Sequence, residues 1–415
     1  MPLIESLLLL LLLSRAIGEI SEHYGQPAMI GEIVAGILLG PSVLGFVGFS
    51  SEIRAIADLG VLLLVFLAGM EMDLETLWKS FRGRGAWVGV AGFLLPMLIG
   101  FGVGLAFGLD MTRSVFVGLC IAITALPVSV RILMDLGKLE TEIGQRIISA
   151  AVFNDVISLL ILGVILDVKG RRGIHATATA AAFVSMGLAL AKALTFMIGF
   201  GLMARAVRRY SLQRFLRSRN LFARLLVKLK GKESVFAVVL LFVFAFASFS
   251  QVLGLQFVVG AFFGSMILSY EVLGKAKFQE VQKTASDITM GFLGPIFFAA
   301  IGLEFDAASL KDWRLVAAIL LTAFVGKICG GYIGGRLAKL TKEESWAVGV
   351  GLNGRGIMEL VIANIALSNG FIGQQLFTIL VLMAVVTTLV TPLLLKKAYL
   401  QLPSAGLRTG RKAAR

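Results

Sequence analysis

The sequence predicts an all-α polytopic membrane protein of about thirteen transmembrane helices, built as two inverted six-helix repeats with one broken helix in each. Three observations carry that prediction. The chain is too apolar for a water-soluble domain: 58% of its 415 residues are hydrophobic and its mean hydropathy is +0.91, more than a polar surface can cover. Successive windows reach the roughly twenty mostly apolar residues that a spanning helix needs. Short motifs near the ends of the second and third windows recur seven windows later.

The thirteen windows fall near residues 2–18, 27–48, 57–74, 86–108, 112–134, 143–167, 178–204, 234–252, 254–272, 288–303, 314–337, 345–368 and 374–396. The first contains the run Leu7 to Leu13, which follows Glu5 without a basic leader or a convincing cleavage site and so reads as a retained helix, not a signal peptide. An odd count places the termini on opposite sides. Lys and Arg concentrate in the loops that become cytoplasmic when the amino terminus is outside, which is the orientation the positive-inside rule selects. The largest of these loops, Arg205 to Lys232, holds ten basic residues and no acidic one, and is expected to lie against anionic headgroups. The net charge of +14 forms no basic face interleaved with aromatics, so nucleic acid is excluded as a partner. Cys120 and Cys329 lie far apart inside apolar segments, suiting neither a disulfide nor a metal site; both are expected to be packing residues.

The repeat shows in paired motifs. Gly69-Met70-Glu71-Met72-Asp73 ends the third segment and Gly302-Leu303-Glu304-Phe305-Asp306 ends the tenth. One segment earlier, Gly36 to Gly40 matches Gly260 to Gly264. Because seven is odd, segments one to six and eight to thirteen enter the membrane from opposite sides, and segment seven connects them.

The fifth segment carries Thr124-Ala125-Leu126-Pro127-Val128-Ser129, where Pro127 removes a donor and disfavours helical geometry at Leu126. Its repeat mate, the twelfth, has Gly349, Gly351, Gly354 and Gly356 around Asn353 and Arg355. Both are read as broken helices, whose freed carbonyls and half-helix dipoles can coordinate or balance ions. The same glycines match a G-x-G-x-x-G pattern, but no strand precedes them and the nucleotide-loop reading fails.

The sixth segment places Asn154-Asp155 in the middle of an apolar helix, where an ionised carboxylate needs a function or a partner. A carboxylate can hold an alkali cation as a hard oxygen ligand or hold a proton, and the two compete for the same lone pairs. Competition at Asp155 is itself an exchange mechanism, with Asn154 in support. Lys327, in the middle of the eleventh segment, needs an acceptor too, and Asp155 is its natural candidate. Arg355 and Glu359 are four apart on the twelfth segment and are expected to face one another while offsetting half-helix charges. His23, His175 and Lys192 earn no site assignment. The rival readings are a cation channel, disfavoured by the single charged focus, and a sodium-coupled organic anion importer, disfavoured by the lack of a polar organic-substrate pocket. A non-transporting sensor would need an output domain. The chain is expected to be no enzyme and to use no cofactor beyond the transported ions.

With these residues in place, the chain resembles the monovalent cation:proton antiporter-2 family, which includes Kef-type potassium/proton and bacterial sodium/proton exchangers. The resemblance runs over essentially the full length, through QPAMIGEIVAGILLGPSVLG, LGVLLLVFLAGMEMD, TALPVSVRIL, FND, FFAAIGLEFD, VGK and GRGIMEL in family order. It implies the sodium/proton antiporter fold with its broken helices crossed, and a homodimer in the bacterial inner membrane. It also implies scaffold helices over 1–85 and 234–312, core helices over 86–168 and 313–399, a linker over 169–233, a basic tail over 400–415, and an elevator-like displacement of the core. Asp155 would bind cation and proton, Asn154 would assist, Thr124 to Ser129 would line the crossover, and Lys327 would match the family's membrane-embedded basic position. Two departures bear on stoichiometry and ion choice: Asn stands where many relatives have a second Asp before Asp155, and Glu359 follows the Arg355-Gly356 pair by three residues instead of one. The Asn-Asp pattern resembles electroneutral relatives and Lys327 electrogenic ones; the expected mode is electroneutral, with Lys327 holding Asp155 in place between turnovers. A regulatory domain of the Kef type would have to be separately encoded.

Overall fold

A computed structural model describes residues 2–72, 85–125, 129–130, 133, 138, 141–171, 199–200, 202, 232–253, 257–268 and 270–401. Outside these lie Asp73, Leu126 to Val128, His175, Lys192, most of the seventh segment, nearly all of the basic loop from Arg205 and the tail after Gln401.

The described residues are helical, with no β-strand among them. Apolar runs form α1 (Leu3–His23), α2 (Ala28–Leu39), α3 (Ser51–Glu71) and α4 (Gly85–Ala106). Asp110 caps α5 (Met111–Ala122) by accepting from Arg113 N at 2.9 Å, followed by α6 (Glu142–Arg171). The second half runs through α7 (Lys232–Val252), α8 (Phe257–Ile267), the single turn α9 (Tyr270–Leu273), α10 (Lys275–Ile288) and α11 (Gly294–Leu303). It closes with α12 (Trp313–Leu337), α13 (Lys342–Gly351), α14 (Ile357–Ser368) and α15 (Gln374–Leu400). Among the described residues seven helices are long and apolar enough to cross a membrane, and four shorter apolar ones accompany them.

One boundary differs from expectation, and the expected break in the fifth segment is present. The tenth segment begins at Lys275, not near 288, because its first turns are polar on one face and escape an apolar window. They run into a π-helical turn over Thr289–Leu293 just before Pro295, which has no N–H to continue the ladder. In the fifth segment α5 stops at Ala122, ahead of Pro127, and Ile123 is already extended (φ −70°, ψ 148°).

Contacts divide the chain into two compact units, Met1–Ala57 with Thr76–Ser158 and Pro295–Arg415, and Asp58–Glu75 with Leu159–Gly294. The inverted repeat appears inside them as matched close approaches. In the first unit a Cβ on Gly36 of α2 would collide with Ala299 O of α11, and in the second a Cβ on Gly69 of α3 would collide with Ser265 Oγ of α8. Segment two on segment ten maps onto segment nine on segment three. Likewise Gly31 abuts Ile17 O and Ser21 Oγ, as Gly260 abuts Phe246 O and Ser250 Oγ. Backbone approaching this closely is how membrane helices gain dispersion contact without a hydrophobic driving force. Cys120 is buried as expected, whereas Cys329 is exposed on α12.

Candidate functional site

All seven singled-out residues, Thr124, Ser129, Asn154, Asp155, Lys327, Arg355 and Glu359, are buried in the first unit. The two broken helices cross there. Ile123 to Ala125, just past α5, are not helical, nor is the chain between α13 and α14, and the described residues of the two breaks bond to each other. Ala125 N donates to Gly354 O at 2.8 Å, Thr124 Oγ1 to Leu352 O at 3.1 Å and Ser129 Oγ to Gly351 O at 3.4 Å. The glycines let the twelfth segment sit against its other neighbours: a Cβ on Gly349 would strike Ile328 O of α12, and one on Gly351 would strike Ile147 Cδ1 of α6.

A helix that ends inside the membrane leaves carbonyls with no water to satisfy them. Two cations meet those of α5. Arg355 Nη1 donates to Cys120 O (2.7 Å) and Ile123 O (2.5 Å), and Nη2 to Ile121 O (2.6 Å). Lys327 Nζ donates to the carbonyl between them, Ala122 O. Four successive carbonyls are thus held by positive charge at the negative end of the half-helix dipole. The complementary end carries Glu359 in the first turn of α14, 3.6 Å from Arg355 Nε. The expected facing pair is present, and Thr388 Oγ1 fixes the backbone beneath by donating to Arg355 O at 3.0 Å.

Lys327 is not ion-paired with Asp155, contrary to the sequence expectation. Besides Ala122 O, its ammonium donates to Gly92 O at 3.0 Å and to Thr124 Oγ1 at 2.8 Å. The Asn154 amide joins this cage when Oδ1 faces Lys327 Nζ (3.1 Å) and Thr124 Oγ1 (3.0 Å) while Nδ2 donates to Gly89 O and Ala150 O (3.2 Å each). The reverse orientation would set Nδ2 against the ammonium, donor facing donor, so we adopt the first. Thr124 has one hydroxyl proton to share between Leu352 O and Asn154 Oδ1.

Asp155, one residue on, is 2% exposed, and its Oδ1 has no hydrogen-bond partner among the described residues. Ser158, a turn later, donates to Asn154 O at 2.7 Å and to Asp155 O at 3.0 Å, bracing that turn of α6. An acid with an unpartnered oxygen this deep is chemically competent to take a proton or a bare monovalent cation.

The comparisons with known proteins give the family and the fold. The sodium/hydrogen exchanger transmembrane family model matches residues 7–398. The chain belongs to the sodium/hydrogen exchanger family. The Na(+)/H(+)-K(+) antiporter GerN of Bacillus cereus is 30% identical over 394 residues, covering 94% of this chain and 95% of that one. The Na(+)/H(+) antiporter of Enterococcus hirae is 29% identical over 392 residues, 94% and 96% of the two chains. In fold, this exchanger matches the sodium proton antiporter MjNhaP1 from Methanocaldococcus jannaschii with a TM-score of 0.70 over 96% of this chain and 98% of that one, at 15% identity. Membership and the apolar helices make it an integral membrane protein.

Sequence reading missed the acceptors of Lys327, because Gly92 O and Ala122 O are backbone atoms that no side-chain motif reports. It also passed over Asn353, buried in the crossover with Nδ2 3.5 Å from Gly349 O and Oδ1 without a partner. Pro96, inside the fourth segment, was the available signal for the first.

Proposed function

We propose that this family member is a secondary antiporter that exchanges Na+ or K+ for H+ at Asp155. The observation that supports it most is the buried, unpartnered Asp155 Oδ1 beside a crossover whose carbonyls are already neutralised by Lys327 and Arg355. Those two cations are committed to the helix end, so Asp155 is left to alternate between cargo and proton. Desolvating an alkali cation here is offset by one full negative charge and nearby oxygens, whereas the protonated acid holds no cation; exclusion couples the two fluxes. One acid trading one cation for one proton moves no net charge, so exchange is electroneutral. Relatives named as Na(+)/H(+) and Na(+)/H(+)-K(+) antiporters support the substrate class.

The same reading includes a homodimer in the bacterial inner membrane, amino terminus outside and carboxyl terminus inside, with the basic 205–232 loop on anionic headgroups. Core helices over 86–168 and 313–399 carry Asp155 across by an elevator-like displacement against scaffold helices over 1–85 and 234–312. The test is reconstitution in proteoliposomes with an internal pH dye, titrated separately with Li+, Na+, K+ and Rb+. Saturable proton movement driven by Na+ or K+ is expected; proton movement indifferent to every alkali cation would refute the reading.

A further inference from the structure

Pro96 stands inside α4 and is buried there. A helix proline has no N–H to give the carbonyl four residues back, and its ring pushes that carbonyl out of the ladder. The carbonyl four residues before Pro96 is that of Gly92, the oxygen to which Lys327 Nζ donates at 3.0 Å. The register is set from the other side by glycines flanking the lysine on α12. A Cβ on Gly326 would come within 3.2 Å of Pro96 Cα and Cβ, and one on Gly330 within 2.7 Å of Ala91 O and 3.1 Å of Pro96 Cδ. The glycine face of α12 therefore rests on the proline's turn, and Lys327 reaches the one carbonyl which that proline leaves open.

We infer that Pro96 is a positioning residue for cation exchange: by keeping Gly92 O available it holds the Lys327 ammonium between α4 and the end of α5, away from Asp155. The inference rests on the reading of Asp155 as the cation site. With alanine in place of Pro96 the helix closes its own bond, from the backbone N–H gained at that position to Gly92 O, and the straightened turn swings that oxygen back along the helix axis. Lys327 then lacks one acceptor and leans on the Asn154 amide, whose neighbour in the chain is the carboxylate that the cargo must occupy. An ammonium on Asp155 competes directly with the transported cation. The loss of one hydrogen bond to a charged donor corresponds to a weakening of cation binding by about tenfold.

The test uses the purified full chain in detergent, with thermal stabilisation titrated by Na+ and by K+ to give an apparent Kd without depending on transport. Pro96→Ala is expected to raise that Kd about tenfold while the melting temperature without cation holds or rises, since alanine favours a helix. In a Lys327→Gln background, or Lys327→Met if the first folds poorly, adding Pro96→Ala should leave Kd within about twofold, since no ammonium remains to be released. A third arm replaces Pro96 with the α-hydroxy analogue of alanine, which has no N–H and should keep a Kd near that of the wild type. An unchanged Kd in Pro96→Ala, an equal rise in both backgrounds, or an α-hydroxy analogue that behaves like alanine would each overturn the role of Pro96. A wild-type chain that neither binds nor exchanges any alkali cation would instead remove the reading of Asp155, a distinguishable failure.

Discussion

At Arg355, three hydrogen bonds to the carbonyls of Cys120, Ile121 and Ile123 and an ion pair with Glu359 surround a guanidinium with no exposure. Removing one member of such a set strands the others, so Arg355→Gln should destabilise the fold by about 3–5 kcal/mol. Glu359→Gln should cost less, because glutamine keeps an acceptor oxygen for the guanidinium and leaves Arg355 on its carbonyls; thermal unfolding of the two variants in detergent, ranked against wild type, checks the order. Asn154→Ala should slow exchange by about tenfold without abolishing it, because an amide oxygen braces Lys327 and Thr124 but carries no titrating charge. Complete loss in a well-folded Asn154→Ala protein, measured as cation-dependent proton flux, would show that the amide has a larger part. Asp155, Arg355 and Glu359 were legible in the sequence because a charge in an apolar run announces itself. The setting of Lys327 was not, because its acceptors are two backbone carbonyls, a hydroxyl and an amide that only the crossing of four segments brings together.

At the scale of the elements, the breaks in the fifth and twelfth segments were legible from a proline and a run of glycines. Their bonding partners were not, since Ala125 to Gly354 and Thr124 to Leu352 join stretches more than two hundred residues apart. The fifth segment's helix stops at Ala122, where Arg355 and Lys327 take over its last carbonyls. Helix packing yields a prediction with an internal control. Gly302 of α11 faces Ile33 O and Gly36 of α2 with no room for a side chain, while Gly102 of α4 has nothing within 4 Å of where a Cβ would sit. Gly302→Val should overpack the α2–α11 contact by about 1–3 kcal/mol, whereas Gly102→Ala should be neutral or stabilising by up to about 1 kcal/mol. Melting temperatures of the two purified variants test the contrast, and equal effects would contradict the packing argument.

For the whole molecule, the repeat was legible from motifs seven segments apart, and the structure returns it as matched glycine contacts within each unit. The proposed exchange at Asp155, with both neighbouring cations committed elsewhere, predicts electroneutral transport. In proteoliposomes clamped with potassium and valinomycin and driven by a sodium gradient, the rate should not change with voltage; a voltage dependence lost in Lys327→Gln would make the lysine a second proton carrier. The central claim is that a single carboxylate hosts both cargo and proton. It is tested most directly by cation-driven proton flux in proteoliposomes of wild type and Asp155→Asn side by side, both confirmed folded by thermal unfolding. The account predicts saturable flux in the wild type and none in Asp155→Asn; cation-dependent proton flux surviving in Asp155→Asn would contradict it.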